Sequence, residues 1–256
     1  YSMKIFKFVL NTSPRSYLIK ISYLARPFLA FWLKGDTYTD PIDGKSFKRF
    51  LPYGYGQQRP NVLSPSTLSL ERHRLLWLYL KNETAFFNKS LKVLHMAPEQ
   101  CFLSIFRKMK NLDYTTADLY SPIVDVKADI LDLPFDDNEF DIVFCNHVLE
   151  HIEDDNKAMS ELLRVMKPGG MGIFQVPQEL AREKTYEDPN IKTPEDKAKH
   201  FGQYDHVRVY GKDYFNRLRD AGFKVEEVDY SKTLSPELVE KYCLAKGEIL
   251  PVCFKP

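Results

Sequence analysis

Several side chains between residues 95 and 141 have the chemistry to grip a nucleoside. The turn His95-Met96-Ala97-Pro98-Glu99-Gln100 follows the apolar run Leu91–Met96. A dinucleotide cofactor needs close backbone approach at such a turn, and a G-x-G-x-x-G run provides it. This turn holds no glycine, which disfavours NAD and FAD but leaves room for a nucleoside cofactor without phosphates. Asp118 ends the short run YTTADL, where a carboxylate can accept both ribose hydroxyls. Asp129 lies four residues before Leu133-Pro134-Phe135, and Asp141 opens the run FDIVFC. Each acid taken alone has an ordinary alternative, as a helix cap or in a solvated turn.

The elements that must position these groups alternate between short apolar runs and amphipathic stretches. Leu91–Met96, Ile142–Cys145, Met171–Val176, Lys224–Asp229 and Ile249–Phe254 read as strands. Residues 153–167 read as a helix, with Met159, Leu162, Leu163 and Met166 on one face and Pro168-Gly169-Gly170 as its stop. Asp213–Ala221 reads as another. Such alternation implies a mostly parallel sheet with helices on both faces and ligands at the carboxyl ends of its strands. Upstream, Ser69 caps a helix predicted to run to Phe87, and residues 36–68 form a loop-and-hairpin module rich in Pro, Gly, Ser and Tyr.

Composition narrows the class further. The 256 residues carry 36 basic and 35 acidic side chains, which argues against a nucleic-acid partner and against a long acidic tail. Hydrophobic residues make up 44%, enough for a sizeable core. The four cysteines are scattered and read as reduced thiols, not a disulfide framework. No apolar run reaches the roughly 18–20 residues that span a bilayer, and no signal-peptide pattern is present. Residues 1–35 stand apart, with six basic residues, no acid and interspersed aromatics. This amphipathic segment suits either an anionic membrane surface or packing on the domain or on a second subunit.

The stretch from Asp129 through Asp141-Ile-Val-Phe-Cys-Asn146-His147-Val-Leu-Glu150-His151, continued by Arg164-Val-Met-Lys-Pro-Gly-Gly170, resembles the central segment of class I S-adenosylmethionine-dependent methyltransferases. The likeness covers residues 91–177 and, more loosely, 205–256. It implies a Rossmann-like α/β fold, a seven-stranded mostly parallel sheet with helices on both faces whose last strand is antiparallel, plus a small N-terminal accessory module. It also implies S-adenosyl-L-methionine as cofactor. Position by position, Ala97, Pro98 and Glu99 would wrap the methionine part, Asp118 the ribose, Asp129 and the Ile130 backbone the adenine, while Asn146 and His147 would line the methyl-transfer pocket. The similarity is to a bacterial subgroup with an Ala-Pro-Glu first loop, and a cytoplasmic enzyme, or one at the membrane face, is implied. Only ten residues separate Asp118 from Asp129, so the usual helix between those strands is shortened or missing.

Methyl transfer to a hydroxyl is helped by a general base. The candidates are His147 and the cluster His200-Phe-Gly-Gln-Tyr-Asp205-His206-Val-Arg208-Val-Tyr210-Gly211 within an insertion spanning about 178–210. His206 and Asp205 are assigned to catalysis beside His147, and Arg208 and Tyr210 to the acceptor. The alternative is a structural network with Asp205 and Arg208 paired. Arg72 and His73, in Ser69-Leu-Glu-Arg-His-Arg74, are further candidates for an anionic acceptor, although ion pairing on the helix face is the favoured role.

Asp40-Pro-Ile-Asp43 and Ser64-Pro-Ser-Thr67 keep the rhythm C-x₂-C…C-x₂-C of a zinc ribbon with every thiolate replaced. Hydroxyls are poor zinc ligands. A degenerate module without structural zinc is therefore expected, held by Phe47, Phe50, Leu51, Tyr53 and Tyr55, and no metal is assigned elsewhere.

The expected organisation is a basic segment over 1–35, a degenerate zinc-ribbon-like module with its helix over 36–88, and a methyltransferase domain over 89–256. The acceptor is a small molecule, a sugar or a lipid-linked precursor, and membrane contact falls to residues 1–35. The competing class is a catalytically silent, methyltransferase-like binding or scaffold protein, recruited to a membrane.

Overall fold

The computed structural model describes residues 24, 26–54 and 58–256. Most of the basic segment, and Tyr55 of the proposed packing set, lie outside the described residues. The chain divides into two compact units, one built from residues up to Thr84 together with Tyr230–Glu248, the other from Ala85–Asp229 with Ile249–Pro256.

In the N-terminal unit, strands β1 (Lys34–Thr39) and β2 (Ser46–Phe47) pair antiparallel, as do β3 (Leu51–Tyr53) and β4 (Arg59–Leu63). Helix α1 (Glu71–Glu83) follows. It starts later than predicted because the Ser69 hydroxyl donates to Asp40 Oδ2 instead of capping. The cap comes from His73, whose Nδ1 accepts the Leu70 amide at 3.0 Å. Of the four positions expected from the sequence frame, Asp40, Ser64 and Thr67 are joined by hydrogen bonds. Asp40 Oδ2 accepts from Thr67 Oγ1 at 2.5 Å and from Ser69 Oγ at 3.0 Å, and Ser64 Oγ accepts the Thr67 amide at 3.5 Å. Asp43 instead bonds its neighbour Lys45. Phe47 and Phe50 are buried as expected of the packing set, but Tyr53 is exposed. The fully buried Arg74 replaces it as a strut, reaching the carbonyls of Val62, Ser69, Tyr242 and Cys243.

The second unit is built on a seven-stranded sheet in the order β12-β13-β9-β8-β5-β6-β7. In chain order these are β5 (Leu91–Met96), β6 (Leu112–Asp118), β7 (Val126–Lys127), β8 (Phe140–Cys145), β9 (Met166–Ile173), β12 (Lys224–Val228) and β13 (Leu250–Phe254). Only β13 runs antiparallel to its neighbours, as anticipated for the final strand. The crossovers carry α2 (Gln100–Phe106), α3 (Asp155–Val165) and α5 (Tyr214–Asp220). No helix lies between Asp118 and Val126.

Both sheet faces are covered. Val143 and Cys145 join Met159, Leu162, Tyr214 and Leu218 in one core. Phe144 and His95 point the other way, into an aromatic cluster with Phe86, Phe106 and Tyr114. Burying each large side chain contributes about 1.5–3 kcal/mol, so this two-sided burial explains why the central strands read as unbroken apolar runs.

One strand prediction, Met171–Val176, shifts at both ends. Lys167-Pro-Gly-Gly170 does not stop the chain between elements. It lies inside β9 as a register shift, with Phe140 opposite Met166 but Ile142 opposite Met171. Beyond Ile173 the ladder gives way to contacts with the loop after β8, since Gln175 N donates to the Asn146 side chain. The insertion folds as a small ribbon, β10 (Tyr186–Glu187) against β11 (Arg208–Val209), with α4 (Pro194–Phe201) between them.

Candidate active site at the carboxyl edge of the sheet

Strand register brings the candidate cofactor residues together. Met96 is level with Ala117 on one side and Cys145 on the other. The turns that begin at Ala97, Asp118 and Asn146 therefore leave the sheet side by side, one strand spacing of about 4.8 Å apart.

The first turn solves its missing glycine with strain. Ala97 adopts φ +46° while its amide donates to Ala117 O at 2.8 Å. A side chain in that region costs about 1–2 kcal/mol, and alanine is the smallest residue that carries one. Glu99 precedes α2, and its carboxylate is anchored from two directions, by His95 Nε2 at 2.5 Å and Asn146 Nδ2 at 3.1 Å. His95 is held in turn by the Tyr114 hydroxyl at 2.8 Å. Burial, with the nearby Glu99 charge, pushes the Tyr114 phenol well above its ordinary range, so it stays protonated. His95 received no role in the sequence reading. The only available hint was its position four residues before Glu99 in the quoted turn.

Asp118 Oδ1 accepts the amides of Tyr120 at 2.7 Å and Ser121 at 2.5 Å. Among the described residues no hydrogen bond reaches its Oδ2. Asp129 is exposed, with Oδ1 on the Leu131 amide, and Ile130 is buried. The loop that follows is braced by Glu161 and Arg164. Glu161 Oε2 takes the Leu133 amide at 2.9 Å, while Arg164 donates to the carbonyls of Leu133 and Phe135. The Arg164 hydrogen bonds hold the Glu161 carboxyl down to about 2, so this brace stays charged across the physiological range.

Asn146 is buried, and its amide group joins Glu99 to Gln175. Its side chain thus joins three loops at the edge. His147 adopts φ +55°, with its amide on Gln175 O at 2.7 Å. Its Nδ1 lies 3.4 Å from Glu150 Oε1, and its Nε2 is buried without a hydrogen-bond partner among the described residues.

The second cluster is split by the structure. His206 stacks edge-on against His151 with ring centroids 4.7 Å apart, and Asp205 Oδ2 lies 3.4 Å from His151 Nδ1. Burial lowers the His206 pKa and favours its neutral ring. Arg208 and Tyr210, assigned from the sequence to the acceptor, are buried struts. Arg208 binds Glu187 Oε2 and the carbonyls of Leu149, Ile152 and Glu153, and the Tyr210 hydroxyl binds Asp155 Oδ2 at 2.8 Å. The considered Asp205–Arg208 pair does not form. Burial alone would raise the Glu187 pKa, but hydrogen bonds from Arg208 and Arg217 hold it below the ordinary carboxylate range. Gly211 closes the motif because a Cβ there would meet the Lys184 carbonyl carbon at 2.7 Å. Arg72 and His73 belong to the N-terminal unit, where His73 caps its own helix and Glu71 pairs with Arg59 at 2.8 Å.

Comparison with known proteins adds to this geometry. Residues 102–174 match the family described as methyltransferase domain. The sheet unit thus combines a Rossmann-like fold with a methyltransferase-domain sequence at its centre. A demethylmenaquinone methyltransferase of Staphylococcus carnosus is 52% identical over 48 residues, 19% of this chain and 20% of that protein. A malonyl-[acyl-carrier protein] O-methyltransferase of Buchnera aphidicola is 43% identical over 65 residues, 25% of this chain and 26% of that protein. The matched segments span about a fifth to a quarter of these curated relatives. Among solved structures, the Burkholderia thailandensis 1,6-didemethyltoxoflavin-N1-methyltransferase, with bound 1,6-didemethyltoxoflavin and S-adenosylhomocysteine, aligns with TM-score 0.47 and 14% identity. That alignment covers 72% of this chain and 77% of that chain.

Proposed function

We propose that this chain is an S-adenosylmethionine-dependent methyltransferase acting on a small-molecule acceptor. The observation that carries the reading is the shared edge formed by Ala97, Asp118 and Asn146, where Asp118 is oriented by two amides through Oδ1 and keeps Oδ2 for a ligand. When bound, the cofactor supplies an electrophilic methyl group on a sulfonium sulfur. Asp118 accepts the ribose hydroxyls, Asp129 and the Ile130 backbone face the adenine, and the Ala97-Pro98-Glu99 turn follows the amino-acid part. The anchored Glu99 carboxylate places fixed negative charge near a cation, at no reorganisation cost. His147 takes the acceptor proton at Nε2, with Glu150 orienting the ring from Nδ1. Positioning the two reactants in such a site supplies much of the acceleration. We assign the chain to a subgroup with an Ala-Pro-Glu first loop and an N-terminal module descended from a zinc ribbon, in which the Asp40–Thr67–Ser69 hydrogen bonds stand where metal bonds would be.

Calorimetry with S-adenosylhomocysteine tests this reading. Wild type should bind, and Asp118→Ala should bind roughly 10- to 100-fold more weakly, a loss of about 1–3 kcal/mol. Absence of binding to wild type would overturn the assignment in favour of a silent scaffold.

A specific observation supports membrane contact as a second feature. Leu24, Phe28, Phe31 and Trp32 are all more than 70% exposed, beside a basic N-terminal sequence. Among the described residues no helix is long and apolar enough to cross a membrane, so a peripheral mode is proposed. Full-length protein should co-sediment with anionic vesicles, and Phe31→Ser with Trp32→Ser should abolish it. Equal sedimentation of the two proteins would remove the idea.

A further inference from the structure

We propose that Glu150, His151 and His206 form a binding site for a divalent transition-metal ion. One ligand atom from each lies within 4.8 Å of the other two. The residues come from two distant segments, which the structure ties together by the Val207 amide on the Glu150 carbonyl at 2.9 Å. Arg208 stiffens the same turn through the carbonyls of Leu149, Ile152 and Glu153. The donors are therefore carried on a braced frame.

Glu150 supplies the independent sign that something binds here. It is 2% exposed, and its Oε2 is buried with no hydrogen-bond partner among the described residues. Among the described residues its Oε1 has only the 3.4 Å approach of His147 Nδ1. A buried carboxylate oxygen without a donor is costly, and a cation removes that cost. Asp205 stands behind His151 with its carboxylate 3.4 Å from Nδ1, as the acceptors behind metal-bound imidazoles do.

Two imidazoles and one carboxylate suit Zn(II), Fe(II), Co(II) or Ni(II), whereas Mg(II) and Ca(II) prefer oxygen donors throughout. Metal–ligand bonds are about 2.0–2.2 Å, so the side chains must close inward from their present spacing. This site departs from the sequence-based expectation of no metal. It does not depend on the methyltransferase reading, although an ion there would stand beside His147 and could hold an acceptor oxygen.

The test uses the full chain, stripped with a chelator and then freed of it. Co(II) titration followed by visible absorption, and Zn(II) titration followed by calorimetry, should both give one equivalent in the micromolar range. Glu150→Gln and His206→Ala should each weaken binding by at least about 10-fold. His200→Ala, at an exposed ring bonded to Tyr186, should bind as wild type does. Circular dichroism checks the fold of each variant, and His151→Asn replaces either one that unfolds. No stoichiometric binding by wild type, or binding unmoved in the folded ligand variants, would overturn the proposal.

Discussion

Arg74→Met is expected to destabilise the N-terminal unit by about 3–5 kcal/mol, the usual result of breaking a buried charged network. Arg74 is fully buried, yet its guanidinium serves four backbone carbonyls and the Ser69 hydroxyl at distances between 2.6 and 3.3 Å. It also lies 4.8 Å above the Phe50 ring. Methionine fills similar space but donates nothing, so the carbonyls of Val62, Ser69, Tyr242 and Cys243 lose a buried donor together. Hydrogen exchange at amides of β4 and of α6 (Pro236–Lys241), alongside a denaturant melt, should show the loss in this unit. Unchanged protection there would mean that apolar packing alone holds the module.

The spacing from Asp40 to Thr67 pointed to residues that the fold does bring into hydrogen-bond contact, Asp40 with Thr67 and Ser64 with Thr67. Arg74 was not legible. Its partners are backbone carbonyls as far away as residues 242 and 243, and a carbonyl leaves no mark on residue identity. The sheet was legible for the opposite reason. Strands buried on both faces need unbroken apolar runs, and β5, β8 and β13 appeared within two residues of their sequence-based bounds. The Pro-Gly-Gly of β9 misled because it normally ends an element, whereas here a register shift absorbs it.

Of the acids singled out from the sequence, Asp118 was legible as a strand end, since β6 closes on it, whereas Asp129 lies in the loop beyond β7 and Asp141 near the start of β8. Glu150 was hidden inside a quoted motif. Its significance depends on burial without a donor, which spacing cannot express. The buried, strut-like setting of Arg208 and Tyr210 was not legible, because a His-Asp-Arg-Tyr cluster has the same composition whether it meets a ligand or supports the residues that do.

Arg208→Met is expected to have the largest effect within the sheet unit, again about 3–5 kcal/mol of stability. Arg208 is 4% exposed and pins Leu149, Ile152 and Glu153 by their carbonyls while pairing with Glu187 at 2.8 Å. Asp155 keeps Arg217 at 2.7 Å and the Tyr210 hydroxyl, so its charge remains compensated in the variant. The damage should therefore concentrate on the 149–153 turn, which carries Glu150 and His151. A general loss of packing would lower melting temperature alone. A specific loss of this strut should also weaken acceptor binding and Co(II) binding, while S-adenosylhomocysteine affinity stays near wild type because Asp118 and Glu99 use other supports. Arg208→Lys separates charge from geometry: one ammonium can keep the Glu187 pair but cannot span three carbonyls with a planar fork. If the lysine variant recovered both stability and the turn's ligand binding, charge and not the forked geometry would be what holds Glu150 in place.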